Sequence, residues 1–237
     1  LSKCEKIFFK FKGALRLIFS YLLLRYTRIN KYFLAKSILN LNVDKLHVGC
    51  GKNLISGWLN IKNEKYEEYG RVKKINDILV LNFNLIKKWP FAAESIQSIA
   101  GSHFIEHLDL NKSIIFFQEA FRVMKQGGII WISCPNLRLY AENYANNNRN
   151  FFENPLIKKF CVYDKAATPG EIFMAKAYDC GRTHEWFYDF ESLKHILEIS
   201  GFSQVKKKKR LDSQIPDIDK IELAEREIET LYVEAVK

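Results

Sequence analysis

The sequence has no C-x-x-C pair, and its five cysteines, Cys4, Cys50, Cys134, Cys161 and Cys180, are an odd number. Neither a zinc ribbon nor a secreted disulfide framework is expected, and a reducing compartment follows. Long apolar runs are missing too. The stretch 17–24 is closed off by Arg16 and Arg25, far short of the ~20 residues that span a bilayer, so a multi-span membrane protein is excluded. No small-residue cleavage pattern follows the basic start, and no signal peptide is expected. Acids are nearly absent from residues 1–43: Glu5 stands against Lys3, Lys6, Lys10, Lys12, Arg16, Arg25, Arg28, Lys31 and Lys36. That segment carries most of the formal net charge of +10. With the remainder close to neutral, the main domain has no basic field of its own, and no nucleic-acid partner is expected.

What is present is enough for a full core. The 237 residues are 48% hydrophobic and 14% aromatic, which excludes a disordered or collagen-like chain. Residues 1–43 read as a basic amphipathic helical segment. Two readings stay open for it. It packs on the main domain or a second subunit, or it lies in an anionic membrane surface with Phe8, Phe9, Phe11, Leu15, Ile18, Phe19 and Leu22 in lipid. The location expected is cytoplasmic, peripheral on the inner membrane face under the second reading. The oligomeric state is left open.

From residue 44 the pattern alternates between strand and helix. Lys45 to Val48 is a strand run ending in Gly49-Cys50-Gly51. Further strands are expected over 57–61, 75–83, 96–100 and 129–133, and a closing strand over 231–236. Ile114, Phe117, Phe121 and Met124 recur at the helical period, with Asp109 or Asn111 as cap and Gly127-Gly128 as stop. A second helix follows the cap Asp189 and ends at Gly201. Residues 206–210 read as an exposed basic strand end. Residues 149–182 look irregular and too long for an ordinary connection, hence a lid or substrate loop. The fold class expected is α/β: a Rossmann-like parallel sheet with helices on both faces, ligands binding at the strand C-termini.

A glycine turn after a first strand lets a ligand approach the backbone. Gly49, Gly51 and Gly57 do not match G-x-G-x-x-G, so a bound pyrophosphate is not indicated. His184, in Thr183-His184-Glu185-Trp186-Phe187-Tyr188, is suited to act as a base at neutral pH, with a structural histidine as the alternative. His103-Phe104-Ile105-Glu106-His107 fits H-x-x-E-H, a zinc hydrolase pattern. Glu106 and His107 read equally as groups that order a ligand pocket through hydrogen bonds. No metal ligand set is assigned, and a divalent ion assisting catalysis stays a variant reading.

The ordered series Leu46-His47-Val48-Gly49-Cys50-Gly51, Gly57-Trp58-Leu59-Asn60-Ile61, Trp89-Pro90-Phe91, Ser102 to Leu108, and Glu119 to Gly128 resembles class I S-adenosylmethionine-dependent methyltransferases. Within that family it looks most like the small bacterial enzymes linked to surface-glycan synthesis. The resemblance covers residues 45–237. It implies that S-adenosylmethionine is the cofactor, with Gly49, Cys50 and Gly51 against its methionine part. Asn60 and Lys62 fall at the strand end that holds the ribose, Asn84 and Leu85 beside the adenine, and Ser102 and His103 under the sulfonium. His103, Glu106, His107 and His184 become the catalytic candidates. Lys62 stands where the family has an acid, and lysine has no acceptor for ribose hydroxyls; Asn60, Asn63 and Glu64 are the nearby replacements. Asn84 likewise replaces an Asp. The activity implied is methyl transfer to oxygen or nitrogen of a small molecule, sugar or lipid-linked glycan. The alternatives are a non-catalytic binding or scaffold protein of the same fold and, more remotely, a zinc hydrolase.

Overall fold

The computed structural model describes residues 43–64, 69–161, 165–178 and 184–237. Apart from Val43, the basic segment expected over 1–43 lies outside them. Among the described residues no helix is long and apolar enough to cross a membrane.

Eight strands form one mixed sheet: β1 (Lys45–Val48), β2 (Leu59–Lys62), β3 (Val72–Ile75), β4 (Ile78–Asn82), β5 (Ile96–Ser102), β6 (Met124–Pro135), β7 (Ser203–Lys208) and β8 (Thr230–Val236). The order across it is β3-β4-β2-β1-β5-β6-β8-β7. The contiguous strands β4, β2, β1, β5 and β6 are parallel, whereas β3 and β8 run antiparallel to their neighbours. This is the Rossmann-like arrangement, and it brings five strand C-termini to one edge.

The sheet is covered on both faces. Alternate β6 residues serve opposite sides, as the two-residue period requires: Ile130, Ile132 and Cys134 join one core and Trp131 the other. The larger core receives α1 (Leu110–Val123) and α6 (Phe190–Ile199). The opposite face packs Trp131 against Tyr232 and takes Ile218 and Ile221 of the one-turn helix α7 (Ile218–Ile221). Asp109 caps α1 by accepting from the Lys112 N–H at 2.8 Å. Asp189 and Ser192 form a capping box on α6, and Gly201 (φ 106°) ends that helix. The buried stripe of α1 is Phe116, Phe117, Ala120 and Val123. Ile114 and Phe121 lie at its margin, and Met124 already belongs to β6.

Two expectations are corrected. Residues 75–83 are not one strand: Asn76 and Asp77 both have positive φ (47° and 67°), and they turn β3 back along β4 as a two-residue hairpin. The described residues of 149–182 are not irregular. They hold α3 (Arg149–Glu153), α4 (Pro155–Lys159) and α5 (Pro169–Tyr178), which together with α2 (Leu137–Ala145) enclose a third core of Tyr140, Phe152, Ile157 and Ile172.

Two segments singled out in the sequence prove to be halves of one clamp. Glu119 accepts from the Trp89 N–H at 2.6 Å and from Arg122 at 2.7 and 2.8 Å. Arg122 in turn donates to the carbonyls of Trp89 and Phe91, each at 3.1 Å. Trp89-Pro90-Phe91 is thereby fixed to α1.

Candidate functional site

The turn after β1 places Gly49 and Gly51 in the left-handed region, φ 64° and 53°. Their reasons differ. A Cβ on Gly49 would lie 2.4 Å from the Phe104 ring, whereas one on Gly51 would meet nothing within 4 Å. The absence of a side chain at Gly49 serves packing; at Gly51 it leaves an open approach to the backbone. Cys50 turns inward, and burial pushes its thiol up to about 12, against the opposing pull of Lys62. It offers a ligand backbone rather than sulfur.

Four of the residues expected to contact the cofactor, Asn60, Asn84, Leu85 and Ser102, have partners within the protein. Asn60 is fully buried: its side-chain oxygen accepts from the Ile55 N–H at 2.8 Å and lies 3.1 Å from His47 Nδ1, and its amide donates to the carbonyls of Ile55, Trp58 and Leu79. It locks β2. Asn84 accepts from the Ile86 N–H and so closes a turn, while Leu85 belongs to the core, its carbonyl accepting from Trp89 Nε1. Ser102 donates to Glu222 Oε2 at 3.0 Å and accepts from Ser133; Glu222 also takes Trp131 Nε1 at 2.7 Å. That hydroxyl bridges Glu222 and Ser133.

Lys62 ends β2 as expected, and its ammonium lies 3.1 Å from Glu64 Oε1. The backbone of Glu64 is pinned by Asn82, whose side chain accepts from the Glu64 N–H (2.8 Å) and donates to its carbonyl (2.9 Å). A carboxylate therefore follows two residues beyond the strand end, paired with Lys62. The residues present thus fit an adenosyl-type cofactor, with the Gly51 approach open and a carboxylate acceptor just beyond β2. The role of Asn82 was missed because a buried asparagine carries no signal that it pins a loop.

The four catalytic candidates converge where β5 ends. His103 takes a positive φ of 49°, an arrangement that costs about 1–3 kcal/mol and concentrates at functional sites. A 3-10 turn, Ile105–His107, follows. The segment bearing His184 is stapled to it, because the carbonyl of Glu106 accepts from the N–H groups of Glu185 (2.8 Å) and Trp186 (3.2 Å). His184 Nε2 lies 3.9 Å from Glu106 Oε1 and His103 Nδ1 lies 3.3 Å from it; the rings of His107 and His184 are 5.0 Å apart. Burial acts to raise the Glu106 carboxyl, and the charge that His107 and His184 can carry pulls it down.

His103 has other obligations. Thr230 Oγ1 donates to the Arg226 carbonyl and so accepts from His103 Nε2 at 2.9 Å. Arg226 then donates to Nδ1 at 2.8 Å, a shorter contact than that to Glu106. With both nitrogens engaged, His103 is not free to ligate, and the zinc hydrolase reading on His103, Glu106 and His107 is corrected. Beneath this layer, Glu229 joins Lys176 (2.6 Å), Tyr140 (2.7 Å) and Arg226 (3.4 Å) in a buried network. Burial and the Glu229 carboxylate push the Tyr140 hydroxyl well up, so it only donates.

No protein-family model matches the chain, and no curated protein matches it in sequence. Among solved structures it is similar to a SAM-dependent methyltransferase from Archaeoglobus fulgidus, with 18% identity and a TM-score of 0.46 over 92% of this chain and 99% of that one. It is similar to one from Thermotoga maritima, with 16% identity and a TM-score of 0.47 over 95% and 96%. A third, from Mesorhizobium loti, gives 12% identity and a TM-score of 0.44 over 88% and 98%.

Proposed function

We propose that the chain is an S-adenosylmethionine-dependent methyltransferase acting on an oxygen or nitrogen of a small molecule, a sugar or a lipid-linked glycan. The observation that carries this reading is the pairing, at one sheet edge, of an open positive-φ glycine turn with a buried carboxylate flanked by imidazoles. The backbone at Gly49 to Gly51 and the Glu64 carboxylate would hold the cofactor, which supplies a methyl group already activated on a sulfonium.

The chain's own work is to place the acceptor and manage its proton. His184 Nδ1 donates to the Lys176 carbonyl at 2.7 Å, which leaves Nε2 as the atom able to take a proton. Glu106 Oε1 lies 3.9 Å from that same nitrogen and balances the charge that results.

Calorimetric titration with S-adenosylhomocysteine tests the reading. Binding is expected. No heat of binding up to about 1 mM ligand, an affinity of roughly −4 kcal/mol, would leave only a binding or scaffold protein.

A further inference from the structure

We propose that Glu106, His107 and His184 form a site for one divalent transition-metal ion of the zinc type. One ligand atom from each lies within 4.8 Å of the others. Glu106 is buried, and its Oε2 has no hydrogen-bond partner among the described residues. A proton shared between His184 and Glu106 would serve Oε1 and leave Oε2 unserved; a metal ion can engage either oxygen. The Lys176 carbonyl fixes the His184 tautomer with Nε2 turned to the carboxylate. That is the outer-shell hydrogen bond by which proteins orient a ligating imidazole.

Ligands at about 2.0–2.1 Å from zinc in tetrahedral geometry stand about 3.4 Å apart. The 3.9 Å between His184 Nε2 and Glu106 Oε1 needs only a small contraction, and the widest pair needs about 1–1.5 Å shared between two side chains. Two imidazoles and one carboxylate suit zinc, iron(II) or cobalt better than magnesium or calcium, which prefer all-oxygen shells. Three protein ligands leave a fourth position open. The role of that position rests on the methyl-transfer reading: it would receive the acceptor hydroxyl, and the ion, which favours the ionised oxygen, would do the work assigned above to the bare imidazole.

The test uses the full chain, stripped with a chelator and titrated with Zn²⁺ by calorimetry, with Co²⁺ absorption as a report on coordination. One ion per chain is expected. Loss of an outer-shell partner alone costs about 10–100-fold in metal affinity, so His184→Ala and Glu106→Gln should each cost at least about 100-fold. His195→Ala, at an exposed histidine of α6 outside the cluster, should change nothing. Circular dichroism of each variant separates lost ligation from lost folding, and His184→Ala keeps the test intact if Glu106→Gln does not fold. No uptake near one ion per chain, or uptake indifferent to a folded His184→Ala, overturns the site. S-adenosylhomocysteine is titrated into the same protein without metal. Cofactor binding without metal uptake overturns this inference and leaves methyl transfer standing. Metal uptake without cofactor binding supports the site and removes its acceptor role.

Discussion

Gly49 and Phe104 are packed so closely that one added carbon on the glycine would sit 2.4 Å from the ring. Gly51, two residues on, faces no atom within 4 Å. Alanine at the two positions should therefore fail in different ways. Gly49→Ala combines left-handed strain with overpacking and should cost about 2–5 kcal/mol of stability. Gly51→Ala should cost only about 1–2 kcal/mol yet abolish S-adenosylhomocysteine binding. Urea melts and calorimetry on both variants check this; a Gly51→Ala protein that binds normally would place the cofactor elsewhere.

Glu64 should carry the ribose contact that Lys62 cannot make. Glu64→Gln should weaken S-adenosylhomocysteine about 10–100-fold, since a charge-assisted hydrogen bond contributes roughly 1.5–3 kcal/mol. Lys62→Asp should not compensate, because it sets a second carboxylate beside Glu64. The reverse pattern, with tighter binding in Lys62→Asp and none lost in Glu64→Gln, would return the ribose to position 62.

His184→Gln should lower turnover by about 10²–10⁴ while cofactor affinity stays unchanged. Parallel losses of thermal stability and activity would assign the histidine to structure instead.

His47 should make the fold acid-sensitive. Burial lowers its pKa from 6.5 to about 4, against the opposing effect of its Asn60 contact. The folded state therefore holds fewer protons than the unfolded one at intermediate pH. Stability from this group is present above about 6.5 and is lost as pH falls towards 4. Between pH 7 and pH 5 the loss should be about 2 kcal/mol. Denaturant melts at the two pH values, compared with His47→Gln, read the difference; an equal pH slope in both proteins would contradict it.

The legible parts of the fold were those written locally. Asp109 and Asp189 announced their helices because a cap is a contact within three residues, and β1, β5 and β6 stood out as apolar runs before glycine or proline. The β3 hairpin was hidden inside an apolar stretch, since Asn76-Asp77 is a weaker turn signal than Asn-Gly. The short helices α3, α4 and α5 carry little period of their own and exist by packing around Tyr140. In the site, each histidine was visible, but their meeting was not. It depends on the Glu106 carbonyl receiving two amides from the His184 segment, a long-range pairing that leaves no local trace. Glu64 is one of three replacements near the end of β2, and only the structure shows that Asn82 fixes its backbone.

The nine basic residues within 1–43 should bind anionic membranes in a salt-sensitive way, each contributing about 1 kcal/mol near such a surface. Co-sedimentation with anionic vesicles, comparing the full chain with a chain starting at Asn42, measures this. Equal binding by both, or no loss in high salt, would contradict membrane attachment. Aggregation of the shorter chain would indicate a segment docked on protein.

Both edges of the sheet end in lysine-bearing strands. β3 presents Lys73 and Lys74, and β7 presents Lys206 and Lys207, all exposed. An open edge offers unpaired backbone groups to any passing strand, and like charges along it repel a second copy. Growth of the sheet from one molecule into the next is thus opposed at both ends by the same device. That opposition weakens as added salt shortens the ~10 Å reach of charge at 0.1 M, so the chain should be handled at low ionic strength if it is to stay dispersed.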